Sequence, residues 1–344
     1  MSGNPTPRTV LWGTLAWHPA FVAWSRMAEC PAPPERLEVL RQGNKSATYR
    51  LVGAGPDGTT VIAKRVRTPK ALIERTVYEH ILPRLSLTTP RYYGFTADGA
   101  EYAWIFLEDV GAERYSETDP AHLALAARWV GSLHTGATLI DAARALPDGG
   151  PARYLEYLRA GRDAVLGGGA NPRLTAADVK RLKRLVADLD ALERDWTTIE
   201  RACSDVPATV VHGDFRPRNA YLRSDGTQLH VFPIDWEHAG WGVPAADLTR
   251  IDLPTYWMTV RASWPGLRLA DVERLGRVGQ IFRRLAAIHW MSPQLAYDRP
   301  DWLRGALVNL QAFHAQLADA IRAVRGRQRH PAPDAARPGG TTHA

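Results

Sequence analysis

The stretch VVHGDFRPRNAYL spans Val210–Leu222, and VFPIDWEHAG follows it at Val231–Gly240 after a gap of eight residues. Together they carry four polar residues in a fixed order: His212, Asp214, Asn219 and Asp235. An Asp followed five residues later by an Asn places a carboxylate and an amide on one loop. The second Asp ends a mostly apolar predicted strand, Leu229–Ile234.

This order of residues predicts a site for phosphoryl transfer. That reaction needs a carboxylate that takes the proton of the attacking hydroxyl, and oxygen ligands that hold Mg²⁺ on the phosphates. A lone His-x-Asp is more often a buried histidine beside a turn. The full pattern is much rarer by chance, so we favour the functional interpretation.

Length and composition narrow the class of protein. The 344 residues are 45% hydrophobic, enough for two lobes with their own cores or for one large domain. No apolar run approaches the roughly 18–20 residues of a membrane span, and TVLWGTLAW lacks the flanks of a secretory signal. Cys30 and Cys203 lie far apart and form no zinc or CxxC pattern. We expect a cytoplasmic protein that does not bind membranes.

The net charge of +7 raises the question of an anionic partner such as nucleic acid. The basic residues are spread along the chain, however, and no recognised nucleic-acid module is present. Only five of the 43 basic residues are lysines, which is typical of arginine bias in a GC-rich genome. We therefore predict no nucleic-acid partner, and the oligomeric state is left open.

The first third of the chain is predicted to form a small sheet with one helix packed on it. The predicted strands are Leu37–Arg41, Ala47–Val52, Val61–Val66, Arg91–Thr96 and Tyr102–Leu107. The helix, Pro69–Leu82, has apolar residues in 3.6-type spacing and a stop at Pro83.

From about Asp119 onward the pattern is helical. Asp119 and Thr175 are predicted helix caps, and the stretches 269–290 and 301–326 are amphipathic. The strand-like interruption is Thr209–Ile234. The predicted organisation is an N-terminal extension (1–30), an N-lobe (31–110), a C-lobe (111–326) and a disordered, dispensable tail (327–344).

Lys64 in TTVIAKRV is the candidate cation for the nucleotide phosphates. Strand alternation puts Ile62, Lys64 and Val66 on one face. A solvated strand lysine is the alternative, but the downstream carboxylates favour a functional role. Glu74 on the following helix is placed to pair with Lys64, and Glu79 is the competing choice.

Two further segments are expected to meet a nucleotide. The loop RQGNKSATYRL has small or turn-forming residues whose backbone amides suit phosphates, although an ordinary hairpin is equally compatible with it. These residues are Gly43, Asn44, Ser46 and Thr48. In WIFLEDVG, backbone groups near Leu107 and Asp109 are expected to meet the adenine edge at a connecting hinge.

The chain resembles the aminoglycoside phosphotransferase and choline kinase group, whose fold is similar to that of protein kinases. HGDFRPRN and IDWE carry the resemblance; GNKSATYRL, VIAKR and FLEDVG support it over about Leu37 to Leu310. It implies an α+β, bilobal protein-kinase-like fold with a small antiparallel-sheet N-lobe and a mainly helical C-lobe. Asp214 would be the catalytic base, and Asn219 and Asp235 the Mg²⁺ ligands. Lys64 would hold the phosphates, His212 would buttress the loop, and Asp247 would stabilise the region behind it.

Two departures from the family pattern concern the substrates. Family members often carry a small residue before the Asn, whereas here Arg218 either reaches a substrate or phosphate anion or is simply solvated. From Glu237 onward, nine acidic residues stand against fourteen arginines, which disfavours a polycationic acceptor. Five tryptophans lie in the same region, of which one or two are candidates for a stacking wall: Trp241, Trp257, Trp264, Trp290 and Trp302.

The sequence thus predicts an ATP-dependent kinase, with GTP as the alternative donor, that phosphorylates a hydroxyl of a small molecule. A neutral antibiotic or secondary metabolite bearing a sugar or heterocycle is the expected acceptor, with self-resistance as the purpose. The alternatives are a binding-only pseudokinase and a primary-metabolite kinase of the choline or homoserine kinase type. A protein kinase is disfavoured because no activation segment with an APE-like anchor follows IDWE.

Overall fold

A six-stranded antiparallel sheet forms the first part of the chain. The structure is a computed structural model that describes residues 9–29, 31–43 and 46–326. Cys30, Asn44 and the predicted tail 327–344 lie outside the described residues. The sheet order is β1-β2-β3-β4-β6-β5. The strands are β1 Thr9–Trp12, β2 Arg36–Gln42, β3 Ser46–Val52, β4 Val61–Arg67, β5 Tyr92–Asp98 and β6 Tyr102–Glu108.

Strand β4 shows why the sheet orients Lys64 as it does. Its residues Val61 and Ala63 are fully buried in an apolar core that also contains Leu37 and Phe106. Because side chains alternate along a strand, Lys64 lies on the opposite face from this core. The alternation predicted from the sequence is therefore confirmed.

The sheet begins earlier than the sequence predicted. Strand β1 pairs with β2, and helix α1, Pro19–Ser25, buries Phe21 and Trp24 in the same core. The Trp24 indole N–H also donates to the Ala54 carbonyl at 2.8 Å. Within the segment interpreted as an N-terminal extension, Thr9–Trp12 and Pro19–Ser25 thus belong to the sheet and its core. A four-residue strand and a seven-residue helix are too short for periodicity to reveal.

Helix α2, Thr68–Thr76, follows β4 directly and brings Glu74 to the sheet. It continues through a π-helical turn at Val77–Ile81 and a 3₁₀ turn at Leu82–Arg84, where Pro83 ends it. The position of the predicted helix is confirmed, but its last part departs from the regular α-helical period in these two turns.

The rest of the chain is mainly helical, as predicted. The remaining helices are α3 Pro120–Ala137, α4 Pro151–Gly168, α5 Ala176–Arg194, α6 Trp196–Cys203, α7 Leu253–Val260, α8 Leu269–Met291 and α9 Pro300–Gly326. Both predicted caps are confirmed: Asp119 accepts from the Ala121 N–H at 2.8 Å, and Thr175 forms a capping box with Asp178.

Two short antiparallel strand pairs interrupt these helices. Strand β7, Thr209–Val211, pairs with β10, Gly240–Gly242, and β8, Ala220–Ser224, pairs with β9, Leu229–Pro233. Strand β10 was not predicted, because three residues with two glycines carry no strand signal. The strand before Asp235 is confirmed.

The described chain divides into two compact units. The first comprises the residues up to Leu155 together with Thr197–Gly279, and it contains every residue predicted for the site. The second comprises Glu156–Trp196 and the residues from Gln280 on, in which α5 packs against α9. Over the described ranges, no helix combines the length and the apolar character that a membrane crossing requires.

Candidate active site

The loop between β7 and β8 is fixed by a buried carboxylate behind it. Asp247, in the 3₁₀ turn Pro244–Arg250, accepts the backbone N–H of His212 at 2.6 Å and that of Gly213 at 2.9 Å. Asp247 is fully buried, and its Oδ2 also lies 3.3 Å from the His134 ring. Both carboxylate oxygens are engaged, so the start of the loop has little freedom to move.

His212 joins the two sequence motifs. Its Nε2 donates to the Ile234 carbonyl at 3.0 Å, and its Nδ1 accepts the Asp214 backbone N–H at 3.3 Å. Because a carbonyl only accepts and an amide N–H only donates, these partners place the ring proton on Nε2. The ring also packs 4.5 Å from that of Trp236, which is fully buried. His212 therefore sets the spacing between the segments that carry Asp214 and Asp235.

Asp214 is buried and uses one carboxylate oxygen for nearly all its contacts. Its Oδ2 accepts from Arg216 Nε at 2.9 Å, Arg216 Nη2 at 2.7 Å and Asn219 Nδ2 at 2.9 Å, with Arg218 Nη2 at 3.5 Å. Among the described residues Oδ1 accepts no hydrogen bond. Asp214 thus has a fixed orientation and one oxygen free to accept a proton.

Asn219 is held by the same loop. Its Nδ2 donates to the Asp214 carbonyl oxygen at 3.0 Å as well as to the side chain. Both hydrogen bonds use the amide nitrogen, so the Oδ1 oxygen remains available as a ligand for a metal ion.

Lys64 contacts two carboxylates that come from different elements. Its Nζ donates to Oε1 of Glu74 and to Oδ1 of Asp235, and Glu237 Oε2 lies 3.8 Å away. Burial lowers the pKa of Lys64, but the charges of these three carboxylates outweigh it and hold the pKa above the usual range. Burial raises the pKa of Glu74 to about 7, against the opposing charge of Lys64. Glu79 instead pairs with Arg75 at 2.8 Å and accepts from the Tyr92 hydroxyl at 2.7 Å.

The residues beside Lys64 suit a divalent cation. One oxygen from each of Glu74, Asp235 and Glu237 lies within 4.8 Å of the others. Glu74 Oε2 is buried without a hydrogen-bond partner. A set of carboxylate oxygens is the kind of hard-oxygen donor set that Mg²⁺ takes in proteins. The site therefore fits the metal that the sequence implied.

Asp235 itself adopts an uncommon backbone conformation. Its φ is +70°, in the left-handed region that aspartate enters more readily than most residues. The next residue, Trp236, is fully buried beside His212, so the surrounding packing maintains the conformation.

The residues predicted to meet a nucleotide elsewhere lie in or next to the sheet. Ser46 begins β3, and its carbonyl accepts the Gly43 N–H at 3.0 Å. Leu107 lies in β6, paired with β4 and β5 on its two sides. The Asp109 side chain accepts from Arg50 Nε at 2.7 Å and from the Gly111 N–H at 3.1 Å, which orders the segment leaving the sheet. Their contact with a nucleotide stays a prediction.

Three residues that contact Asp214 or the carboxylate group near Lys64 were not singled out from the sequence. Arg216 binds Asp214, Glu237 joins the carboxylates near Lys64, and Lys70 donates to the Glu237 carbonyl at 3.1 Å. Arg216 and Glu237 stand inside HGDFRPRN and IDWE, so charge within the motifs was the available signal. Lys70 lies one helical turn before Glu74 and had no such signal.

Comparison with protein families confirms the resemblance that those two motifs indicated. The model described as "Phosphotransferase enzyme family" matches residues 36–288, which is most of the chain. A search of curated proteins finds no match.

Solved structures share the fold at low sequence identity. A microcompartment-associated aminopropanol kinase is 15% identical with a TM-score of 0.58, covering 89% of this chain and 97% of its own. Choline kinase from Cryptosporidium parvum Iowa II is 11% identical with a TM-score of 0.59, covering 85% and 92%. A spectinomycin phosphotransferase in complex with ADP and its antibiotic is 10% identical with a TM-score of 0.54, covering 83% and 93%. These likenesses confirm the predicted fold class.

Proposed function

We propose that this chain, which belongs to the phosphotransferase enzyme family, transfers the γ-phosphoryl group of ATP, or of GTP in its place, to a hydroxyl of a small molecule. The observation that carries the proposal is the arrangement around Asp214. A buried carboxylate with one unoccupied oxygen is fixed beside Asn219, and His212 links it to the segment that carries Asp235. Such positioning is what phosphoryl transfer asks of a protein.

Each group then has a definite task. Asp214 Oδ1 accepts the proton of the acceptor hydroxyl while the hydroxyl oxygen bonds to the γ-phosphorus. The bond from that phosphorus to the β–γ bridging oxygen breaks, and ADP leaves. Lys64, held by Glu74, neutralises phosphate charge. Asn219 and Asp235 would hold Mg²⁺, which when bound supplies positive charge to the phosphate oxygens.

The acceptor is a neutral or weakly charged compound bearing a sugar or heterocycle, such as an antibiotic made by the same cell. The partly buried Trp241 lies on β10, paired with Val210 just before the catalytic loop. Arg144 lies over its ring at 5.4 Å, and Arg153 donates to the carbonyls of His238 and Ala239. The Trp241 ring is a candidate stacking surface, and the positive charge of the arginine over it disfavours a polycation. The enzyme would act in the cytoplasm.

An acceptor screen tests the proposal. Purified protein with Mg²⁺ and ATP or GTP is assayed for nucleotide consumption against nucleoside and peptide antibiotics, macrolides, aminoglycosides and choline-like metabolites. We expect acceptor-dependent turnover that Asp214→Ala reduces by about 10²–10⁴-fold while leaving nucleotide affinity unchanged. Equal turnover in Asp214→Ala would remove the proposed base. A polycationic aminoglycoside with much the highest kcat/KM would refute the acceptor class and leave the kinase assignment intact.

A further inference from the structure

Arg218 is a second arginine beside Asp214, but it is held much less firmly than Arg216. Arg216 donates two hydrogen bonds to the carboxylate, at 2.9 and 2.7 Å, and so forms a close ion pair. Arg218 reaches the same oxygen only at 3.5 Å, and its side chain is 58% exposed. The negative charge of Asp214 is therefore already matched by Arg216.

The backbone around Arg218 is fixed although its side chain is not. Its carbonyl accepts from Arg114 Nη1 at 2.7 Å, and it lies in the 3₁₀ turn Pro217–Asn219 between the proposed base and the proposed metal ligand. The guanidinium thus starts from a defined point next to the reacting groups, with most of its five N–H donors unused among the described residues.

Cations held near each other without a matching anion repel one another. Arg218 and Arg216 have that relationship, because both reach Oδ2 of Asp214, at 3.5 and 2.7 Å, and this one carboxylate matches only one of the two positive charges. An anion bound beside Asp214 would remove the repulsion, and guanidinium is the side chain best suited to bind phosphate.

We propose that Arg218 binds the γ-phosphate of the nucleotide during transfer. The inference rests on the proposed phosphotransferase function and adds a catalytic residue to it. Arg218 exchanges no proton or bond in the reaction; it offers N–H donors to the oxygens of the group being moved. An anionic group on the acceptor is the other source of the same chemistry.

Nucleotide binding tests the contact with the γ-phosphate without needing to know the acceptor. Affinities for ADP and for the non-hydrolysable ATP analogue AMP-PNP are measured by calorimetry with Mg²⁺, for the wild type, Arg218→Ala and Arg218→Lys. We expect Arg218→Ala to weaken AMP-PNP binding by about tenfold or more and ADP binding by less than about twofold. Arg218→Lys should recover part of the loss. Arg322→Ala, which removes an exposed arginine of α9, is the charge control and should bind as the wild type does.

Three results would overturn the role of Arg218. Equal losses for ADP and AMP-PNP would place its contact away from the γ-phosphate. Unchanged nucleotide affinities with a raised acceptor KM would assign it to an anionic acceptor, and no change at all would make it a solvated residue. Thermal melting of each variant tells a binding defect from a folding defect. If the wild type binds neither nucleotide, the phosphotransferase proposal itself is refuted. If the wild type binds both nucleotides and Arg218→Ala binds them with the same affinities, only the role of Arg218 is refuted.

Discussion

The Asp247 carboxylate accepts the backbone N–H of His212 at 2.6 Å, although the two residues are 35 positions apart. This bond and its companion to Gly213 are made by a side chain with no exposure to solvent. The geometry of the proposed catalytic loop thus depends on a residue that has no exposed surface.

Asp247→Asn should destabilise the protein by about 1–3 kcal/mol, because its amide group offers one acceptor oxygen where two buried N–H groups need partners. Burial alone raises the pKa of Asp247, but His134 and His212 outweigh it and the pKa lies below the usual range. A depressed folded-state pKa stabilises the fold above the unfolded-state value and loses that contribution as pH falls through the folded value. Denaturant unfolding is measured from pH 7 down to about 3. The free energy of unfolding of the wild type should approach that of Asp247→Asn at the acid end of this range. A constant difference would contradict this linkage.

Gly213→Ala should abolish turnover and lower stability. Its φ is +75°, and an added Cβ would lie 2.4 Å from the His238 carbonyl oxygen. Left-handed backbone costs about 1–3 kcal/mol for a residue with a Cβ, and this contact adds to that cost. Gly226→Ala is the matched control, since its φ is +92° with nothing within 4 Å of the added atom. Thermal melting should show the larger loss for Gly213; similar losses would mean that the His238 contact relaxes freely.

Glu74→Gln should lower kcat/KM for the nucleotide by about 10–100-fold, because Lys64 loses one of its two close carboxylate partners and is no longer held in its orientation. Glu79→Gln, on the same helical segment but paired with Arg75, should change it by less than about twofold. The pKa of Glu74 is raised to about 7 from 4.5, so its ionisation opposes folding as pH rises through that window. Melting curves from pH 5 to 8 should therefore show that the melting temperature of Glu74→Gln rises relative to that of the wild type as the pH increases. Equal kinetics in the two variants would remove Glu74 from the site.

Asp235→Asn and Asn219→Ala should each raise the Mg²⁺ concentration needed for half-maximal activity by about tenfold or more, since each removes a proposed ligand. Excess EDTA should stop the wild-type reaction, and added Mg²⁺ should restore it. Asp225→Asn makes the same change in the exposed turn before β9 and should leave the metal requirement unaltered. Turnover that persists in EDTA would assign Asn219 and Asp235 another task.

The sequence predicted most strands, the helix caps and the polar centre because their signals are local. Asp119 and Thr175 are caps by residue type and position, and the alternation in β4 puts Lys64 opposite the core. Glu74 and Glu79 could not be separated in this way. Which of them meets Lys64 depends on how α2 lies against the sheet, which is a tertiary property.

The contacts that the sequence missed also depend on tertiary structure. Arg216 is two residues from Asp214, but only the turn that follows bends its guanidinium back onto the carboxylate. Strand β10 is specified by its pairing with β7 rather than by its own three residues. The five candidate tryptophans differ in location. Trp264 is buried, and the indole N–H of Trp257 donates to the Leu267 carbonyl at 2.9 Å. Trp241 lies on β10 next to β7, and Trp290 and Trp302 belong to the second unit.

Trp236 belongs to a buried region in which substitutions are expected to be poorly tolerated. Its indole fills the core between His212 and Trp129, while the adjoining Asp235 holds a left-handed backbone. Mutations that repack this region would disturb catalysis, whereas replacements at Arg144 or Trp241 would alter a partly exposed surface only. We therefore expect selection for a new acceptor to act on the proposed acceptor surface around Trp241, while the proposed catalytic residues are kept.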